Sequence, residues 1–303
     1  MQKLLCLVGP TAIGKTQTAL TLAQKFNCEI VSGDSMQVYR ELAIGTAAPT
    51  PAERAQVPHH LVACQSVYQP YDVHDFVAQA QAAIVGISQQ KKLPLLVGGT
   101  GFYAKALLYD LQLGGKQEQA NDPALAKELA ANGPQALWDK LNNLDPAAAA
   151  KIPWQNARRT LRALTVIKNT GQLFSQQQTK IQPRYDFLIL GLNTERAVLY
   201  DRINRRVDLM LQQGLLEEAR FVYEQRAQLY QAKQAIGYKE FFPYFEKKAP
   251  LSACVAKLKQ VSRRYAKRQL TYFRHQLPVQ WFDPIADPAF MLELTQVVKK
   301  WLN

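Results

Sequence analysis

The chain has 303 residues, 48% of them apolar, and 37 Lys and Arg against 24 Asp and Glu give a formal net charge of +13. This apolar content excludes wholesale disorder, and the length fits one large α/β domain with an insertion, or two domains. So large a basic excess points to a polyanionic partner, nucleic acid or an anionic membrane surface, while no apolar run is long enough to span a bilayer.

Residues 3–8 form a short apolar run that predicts a buried strand, and Gly9-Pro10-Thr11-Ala12-Ile13-Gly14-Lys15-Thr16 follows it. Ala19, Leu22, Ala23 and Phe26 then recur at helical spacing. A second strand is expected over residues 28–32, ending at Gly33-Asp34-Ser35. Residues 40–70 read as loops with short helices, and residues 72–90 as a helix capped by Asp72. Another strand, residues 93–97, closes at Gly98-Gly99-Thr100-Gly101.

Alternating strands and helices argue for a parallel sheet with helices on both faces. Ligands bind such sheets beyond the carboxyl ends of the strands. The Gly9–Thr16 loop, Asp34 and the Gly98-Gly99 turn all sit at such ends, so they are expected to share one crevice. From about Leu113 the composition shifts to Ala, Gln, Asn and Lys at helical spacing through residue 180. Residues 186–192 return to the sheet, and helices are expected over 198–211, 215–226 and 257–274. The expected division is a core over 1–112, a helical insertion over 113–182 and a core completion over 183–303.

Strand, G-x-x-x-x-G-K-T loop and helix together make a phosphate-binding site. Gly9 and Gly14 let backbone N–H groups converge on phosphate oxygens, and the helix N-terminus adds its dipole. Lys15 supplies a charge, and Thr16 a hydroxyl for Mg²⁺. Asp34 could hold hydrated Mg²⁺ or act as a general base, or merely cap a helix. A motor or switch ATPase carries a carboxylate where this chain has Gly98-Gly99, and Thr100 there offers only a hydroxyl.

His59 and His60 have no metal-ligand spacing and are expected to be structural. Cys6, Cys28, Cys64 and Cys254 form no C-x-x-C pair, so neither a zinc site nor a disulfide framework is indicated. With an N-terminal apolar run too short for a signal peptide, a cytoplasmic location is expected. Arg158, Arg159 and Arg162 fall within about one helical turn and suit phosphate or base-edge contacts. Arg202 and Arg206, at i and i+4, could clamp a diphosphate or merely decorate a surface. In the last basic helix, Lys257, Lys259, Arg263, Arg264, Lys267, Arg268 and Arg274 interleave with Leu258, Val261, Tyr265, Tyr272 and Phe273, an arrangement suited to nucleic acid.

Several segments together resemble the tRNA dimethylallyltransferases of bacterial type. They are the phosphate loop, residues 30–39 (IVSGDSMQVY), Ile44-Gly45-Thr46-Ala47 and His59-His60-Leu61. Val97-Gly98-Gly99-Thr100-Gly101, residues 159–164 (RTLRAL), Ala235-Ile236-Gly237-Tyr238-Lys239 and residues 262–269 (SRRYAKRQ) complete the set. The resemblance runs essentially end to end. It implies a P-loop NTPase-like parallel sheet flanked by helices, with an inserted all-helical tRNA-binding domain. It also implies transfer of a dimethylallyl group from dimethylallyl diphosphate to N6 of the adenine 3′ to the anticodon, with Mg²⁺.

On that resemblance Asp34 matches the general base, and Lys15, Thr16 and Arg202 or Arg206 would stabilise the departing diphosphate. Segments Asp34, Ser35, Met36, Gln37 and Gln155, Asn156, Ala157, Arg158, Arg159, together with Thr100, would touch tRNA. The target base is expected to flip out of its stack. No membrane partner is implied, and a monomer is expected. Ala48 stands where the family usually has Lys, and Tyr272 where Trp is usual. A small-molecule or nucleoside kinase shares the loop and the carboxylate but leaves the +13 charge unexplained. A nucleic-acid-binding ATPase is the third reading, and the glycines after residue 97 disfavour it.

Overall fold

The computed structural model describes residues 1–109, 111, 122–176 and 182–303. The expected boundary between residues 112 and 113 lies outside them, as do residues 114–121 and 177–180 of the expected helical stretch. The chain divides into two compact units, Met1–Tyr109 with Pro183–Asn303, and Asp110–Gln182.

In chain order the first unit begins with β1 (Lys3–Val8), α1 (Lys15–Phe26), β2 (Cys28–Ser32), α2 (Pro51–Gln56), β3 (His59–His60), α3 (Val73–Gln89), β4 (Leu93–Gly98) and α4 (Gly101–Leu108). The second unit contributes α5 (Pro123–Leu144), α6 (Pro146–Ala149) and α7 (Ala157–Thr170). The first unit resumes with β5 (Asp186–Leu192), α8 (Arg196–Gln212), α9 (Leu215–Gln225), α10 (Phe242–Phe245), α11 (Leu251–Gln276), β6 (Gln280–Phe282) and α12 (Phe290–Leu302).

Six strands pair in the order β3-β2-β4-β1-β5-β6, all parallel. Central β1 is apolar on both faces because both faces are covered. Leu4, Cys6 and Val8 join one core cluster with Phe76, Leu107, Leu258 and Phe273 from α3, α4 and α11. Leu5 and Leu7 join the other, with Leu20, Ile203 and Val298 from α1, α8 and α12. Both clusters meet at the sheet.

Local chemistry explains where the elements start. Asp72 caps α3 as expected: its Oδ1 accepts from the N–H groups of His74 (2.8 Å) and Asp75 (3.2 Å), and Asp75 returns a bond to the Asp72 N–H. His59 and His60 form an edge strand rather than a loop, because β2 offers a free parallel edge at Ile30 and Val31. His60 also meets the buried Glu29 carboxylate at 2.7 Å, and Lys92 meets it at 2.6 Å. Burial alone would raise the Glu29 pKa, but the hydrogen bonds from Lys92 and His60 outweigh it and hold the group below its usual range.

The second unit packs α5, α6 and α7 around Leu137, Leu141, Ala149, Ala163 and Leu164. Gly133, at φ 78°, and Pro134 kink α5, since proline cannot continue the hydrogen-bond ladder. Asp145 is buried and accepts from Ala148 N–H (3.0 Å) and Ser175 N–H (2.7 Å), tying α6 to the segment after α7.

Candidate active site

Between β1 and α1 the Gly9–Thr16 loop turns tightly enough to need left-handed backbone at Ala12 (φ 65°) and Gly14 (φ 110°). Lys15 Nζ donates to the carbonyls of Gly9 (2.9 Å) and Pro10 (2.8 Å), curling the loop around its own cation. A cavity of about 630 Å³ opens beside it at the carboxyl ends of the strands. Thr11, Ala12, Ile13, Gly14, Lys15 and Thr16 line this cavity, and so do Asp34, Ser35, Met36, Gln37 and Arg206. The three strand ends therefore do share one crevice.

Asp34 does not cap a helix. Its Oδ1 accepts from the Met36 N–H at 2.9 Å, a two-residue turn that projects the loop after β2 into the cavity wall. Thr100 opens α4 without capping it. Its Oγ1 instead accepts from the Ser35 N–H at 3.2 Å, joining the turn after β4 to the loop carrying Asp34. Side chains at the glycines of this turn would meet close neighbours, and at Gly98 that neighbour is backbone. A Cβ at Gly98 would lie 2.5 Å from the Gly33 backbone, one at Gly99 would lie 2.2 Å from Gln269 Nε2, and one at Gly101 would lie 2.3 Å from the Tyr272 ring.

The two candidate arginines part ways. Arg206 lines the cavity, whereas Arg202 Nε donates to the Ala12 carbonyl at 2.9 Å and so holds the phosphate loop itself. Burial pulls the Lys15 ammonium down to about 7; the Arg206 charge adds to this and the Asp34 carboxylate opposes it. Burial likewise lowers Arg206, against the raising pull of Asp34. The cavity thus brings two cations and one carboxylate within electrostatic reach of each other, which suits an anionic ligand beside a basic group.

Sequence reasoning missed two anchors of this wall. Glu218 on α9 accepts from the N–H groups of Ala43 (2.9 Å), Ile44 (3.0 Å) and Gly45 (2.8 Å) and from the Tyr238 hydroxyl (2.8 Å). It thereby ties the Ile44–Ala47 segment to the Ala235–Lys239 segment, where Gly45 and Tyr238 are so close that a Cβ on Gly45 would meet the ring at 2.7 Å. Gln37 Nε2 extends the tie by donating to the carbonyls of Thr46 (3.3 Å) and Ala47 (3.0 Å). The other anchor, Gln269, is buried on α11. Leu258, Ser262, Tyr265 and Gln269 all line the cavity, and polar members of that helical stripe were the available signal.

The predicted residues 155–159 lie in the second unit. Asn156 caps α7, accepting from the Arg159 N–H at 3.2 Å, and Gln155, Asn156, Arg158 and Arg159 are exposed, with Ala157 half-buried. On α11, Lys257, Arg264, Lys267, Arg268 and Arg274 are exposed as expected, while Lys259 pairs with Asp208 at 2.7 Å and Arg263 bonds Asn204 at 2.6 Å.

A phosphate loop between β1 and α1, a carboxylate after β2 and cations around one crevice define a P-loop α/β protein built for a phosphate ester. Residues 37–276 match the IPP transferase family and residues 2–66 match Isopentenyl transferase. The tRNA dimethylallyltransferase of Lactobacillus delbrueckii subsp. bulgaricus is 58% identical, covering 100% of this chain and 99% of that relative. The full-length tRNA isopentenylpyrophosphate transferase of Bacillus halodurans superposes with a TM-score of 0.75 at 42% identity, covering 100% of this chain and 97% of that structure. A eukaryotic dimethylallyltransferase acting on tRNA gives a TM-score of 0.82 at 28% identity, covering 98% and 78%. The chain belongs to the tRNA dimethylallyltransferase family, as its motifs lead one to expect.

Proposed function

We propose that the chain transfers the dimethylallyl group of dimethylallyl diphosphate to N6 of the adenine at tRNA position 37, 3′ to the anticodon, in tRNAs reading codons that begin with U. The observation that carries the reading is the cavity in which Asp34 faces Lys15 and Arg206. The adenine N6 forms a bond to C1 of the prenyl group as the C1–O bond to diphosphate breaks, the electron pair leaving with the oxygen. Asp34 accepts the N6 proton. Lys15, Thr16, Arg206 and the loop N–H groups stabilise the charge building on the diphosphate, with Arg202 holding the loop in shape.

The residues present fit Mg²⁺. The Thr16 hydroxyl offers a hard oxygen donor in the cavity lining, and no group of three or more His, Cys, Asp or Glu side chains that could hold a metal ion occurs among the described residues. That set suits an ion carried largely by phosphate oxygens and water. When bound, Mg²⁺ would neutralise part of the leaving group's charge.

Gln155, Asn156, Ala157, Arg158 and Arg159 form an exposed basic helix start suited to the anticodon stem-loop, and Ser35, Met36, Gln37 and Thr100 would meet the flipped base. The site is read as that of a cytoplasmic monomer; among the described residues no helix is long and apolar enough to cross a membrane. The kinase alternative is not favoured. It leaves the +13 charge unexplained; against a nucleic-acid-binding ATPase, the Gly33 backbone and the Gln269 amide fill the space after β4 where such a site carries a carboxylate.

Incubation with labelled dimethylallyl diphosphate, Mg²⁺ and unmodified tRNA, without ATP, tests the reading. Label in tRNA is expected. Unlabelled tRNA, together with γ-phosphate transfer from ATP to a small molecule, refutes it.

A further inference from the structure

We propose that Gln269 is a positioning residue that sets the distance between the two reacting atoms. It is 5% exposed, and both ends of its amide are spent on main chain from two different strand ends. Oε1 accepts from the Thr11 N–H at 3.0 Å, inside the phosphate loop. Nε2 donates to the Gly99 carbonyl at 2.9 Å, in the turn after β4. From that turn Thr100 reaches the Ser35 N–H at 3.2 Å, next to Asp34. One side chain therefore fixes the cradle of the leaving group against the loop that carries the base.

The fit is tight on both sides. A Cβ at Gly99 would come within 2.2 Å of Gln269 Nε2, so a side chain there would displace the amide from its bond. Tyr265, one helical turn earlier on α11, lines the cavity beside it. By engaging the Thr11 N–H, Gln269 shapes the phosphate loop. A displacement of about 1 Å between reacting groups can cost roughly a hundredfold in rate. Loss of the bridge should therefore act on the chemical step more than on the binding of either substrate.

This inference rests on the proposed assignment of the two half-sites. Two variants test it: Gln269→Met, which keeps the volume and removes both hydrogen bonds, and Gln269→Glu, which keeps the acceptor for Thr11. Measured quantities are kcat in single-turnover prenyl transfer, Kd for dimethylallyl diphosphate and for tRNA separately, and the unfolding temperature. In Gln269→Met, kcat should fall at least about tenfold while each Kd stays within about threefold. Measured against wild type at the same pH, Gln269→Glu should recover as pH is lowered, because a protonated carboxyl again donates to Gly99. It also carries the test should the methionine variant fail to fold.

A kcat within twofold of wild type in both variants overturns the proposal. So does a fall in kcat matched by an equal loss of affinity for one substrate, which would confine Gln269 to that half-site. An inactive wild-type chain would instead overturn the proposed function itself.

Discussion

Arg202 Nε holds the carbonyl of Ala12 at 2.9 Å, and Ala12 is the non-glycine residue of the phosphate loop with left-handed backbone (φ 65°). Such a conformation costs an alanine about 1 kcal/mol and persists only where neighbours over-determine it. Arg202 is such a neighbour, and Arg206, one turn on, is free to face the ligand. Arg202→Ala should raise KM for dimethylallyl diphosphate about tenfold with a smaller effect on kcat. Arg206→Ala should lower kcat by about a hundredfold, the range seen when a donor to a developing anion is removed. Steady-state kinetics on both variants separate the roles; identical profiles would refute the division.

Asp34→Asn should keep the local fold, because an amide oxygen can still accept from the Met36 N–H. Loss of the base is expected to cost about 10²–10⁴-fold in single-turnover rate, with tRNA affinity within a few-fold of wild type in a filter-binding assay. Weak tRNA binding with normal turnover at saturation would remove Asp34 from this role.

Lys15, pulled down to about 7 by burial and Arg206, gives binding a proton signature. A bound diphosphate favours the charged ammonium, so the site takes up a proton when it binds above about pH 7. Titration calorimetry at pH 8.5, in buffers of different ionisation enthalpy, should show uptake approaching one proton, lost in Lys15→Met. Below the folded pKa the ammonium is already charged and its contribution vanishes. In stability the sign runs the other way to a salt-bridged lysine. With its pKa lowered from 10.5, the unfolded chain binds more protons between about 7 and 10.5, so this group adds stability as pH rises through that window.

Gly98→Ala places a methyl 2.5 Å from the Gly33 backbone, which cannot rotate away as a side chain could. Overpacking of this kind costs about 1–3 kcal/mol, and here it also pushes apart the turns carrying Asp34 and Thr100. Urea denaturation should show that loss, together with reduced transfer. Gly86→Ala, within α3 and with open space around it, is the control: it should leave transfer unchanged and raise stability by about 0.5–1 kcal/mol.

The elements legible in the sequence are those buried on both faces. β1, β2, β4 and β5 read as continuous apolar runs because helices cover each side of the sheet. The edge strands β3 and β6 span two and three residues, too short for any period, and polar His59 and His60 disguise the first. That Lys15, Asp34 and the glycine turn share one crevice was legible because each follows the end of a strand. Glu218 and Gln269 were not, since their partners are backbone amides and carbonyls 173–175 and 170–258 positions away. No local pattern announces a bond of that range; Arg202, 190 positions from Ala12, is a third case.

β1 lies between β4 and β5, and Gly9 rests so close to the Leu192 carbonyl that a Cβ would approach it to 2.7 Å. On the ribosome, then, β1 waits with one edge bare while the whole helical unit is made. Only when β5 emerges is the edge closed and the phosphate loop given its seat. A nascent chain stopped before Asp186 would present that bare apolar strand to any neighbour, the kind of edge that invites aggregation. The phosphate loop's seat thus depends on a strand made about 170 residues after it.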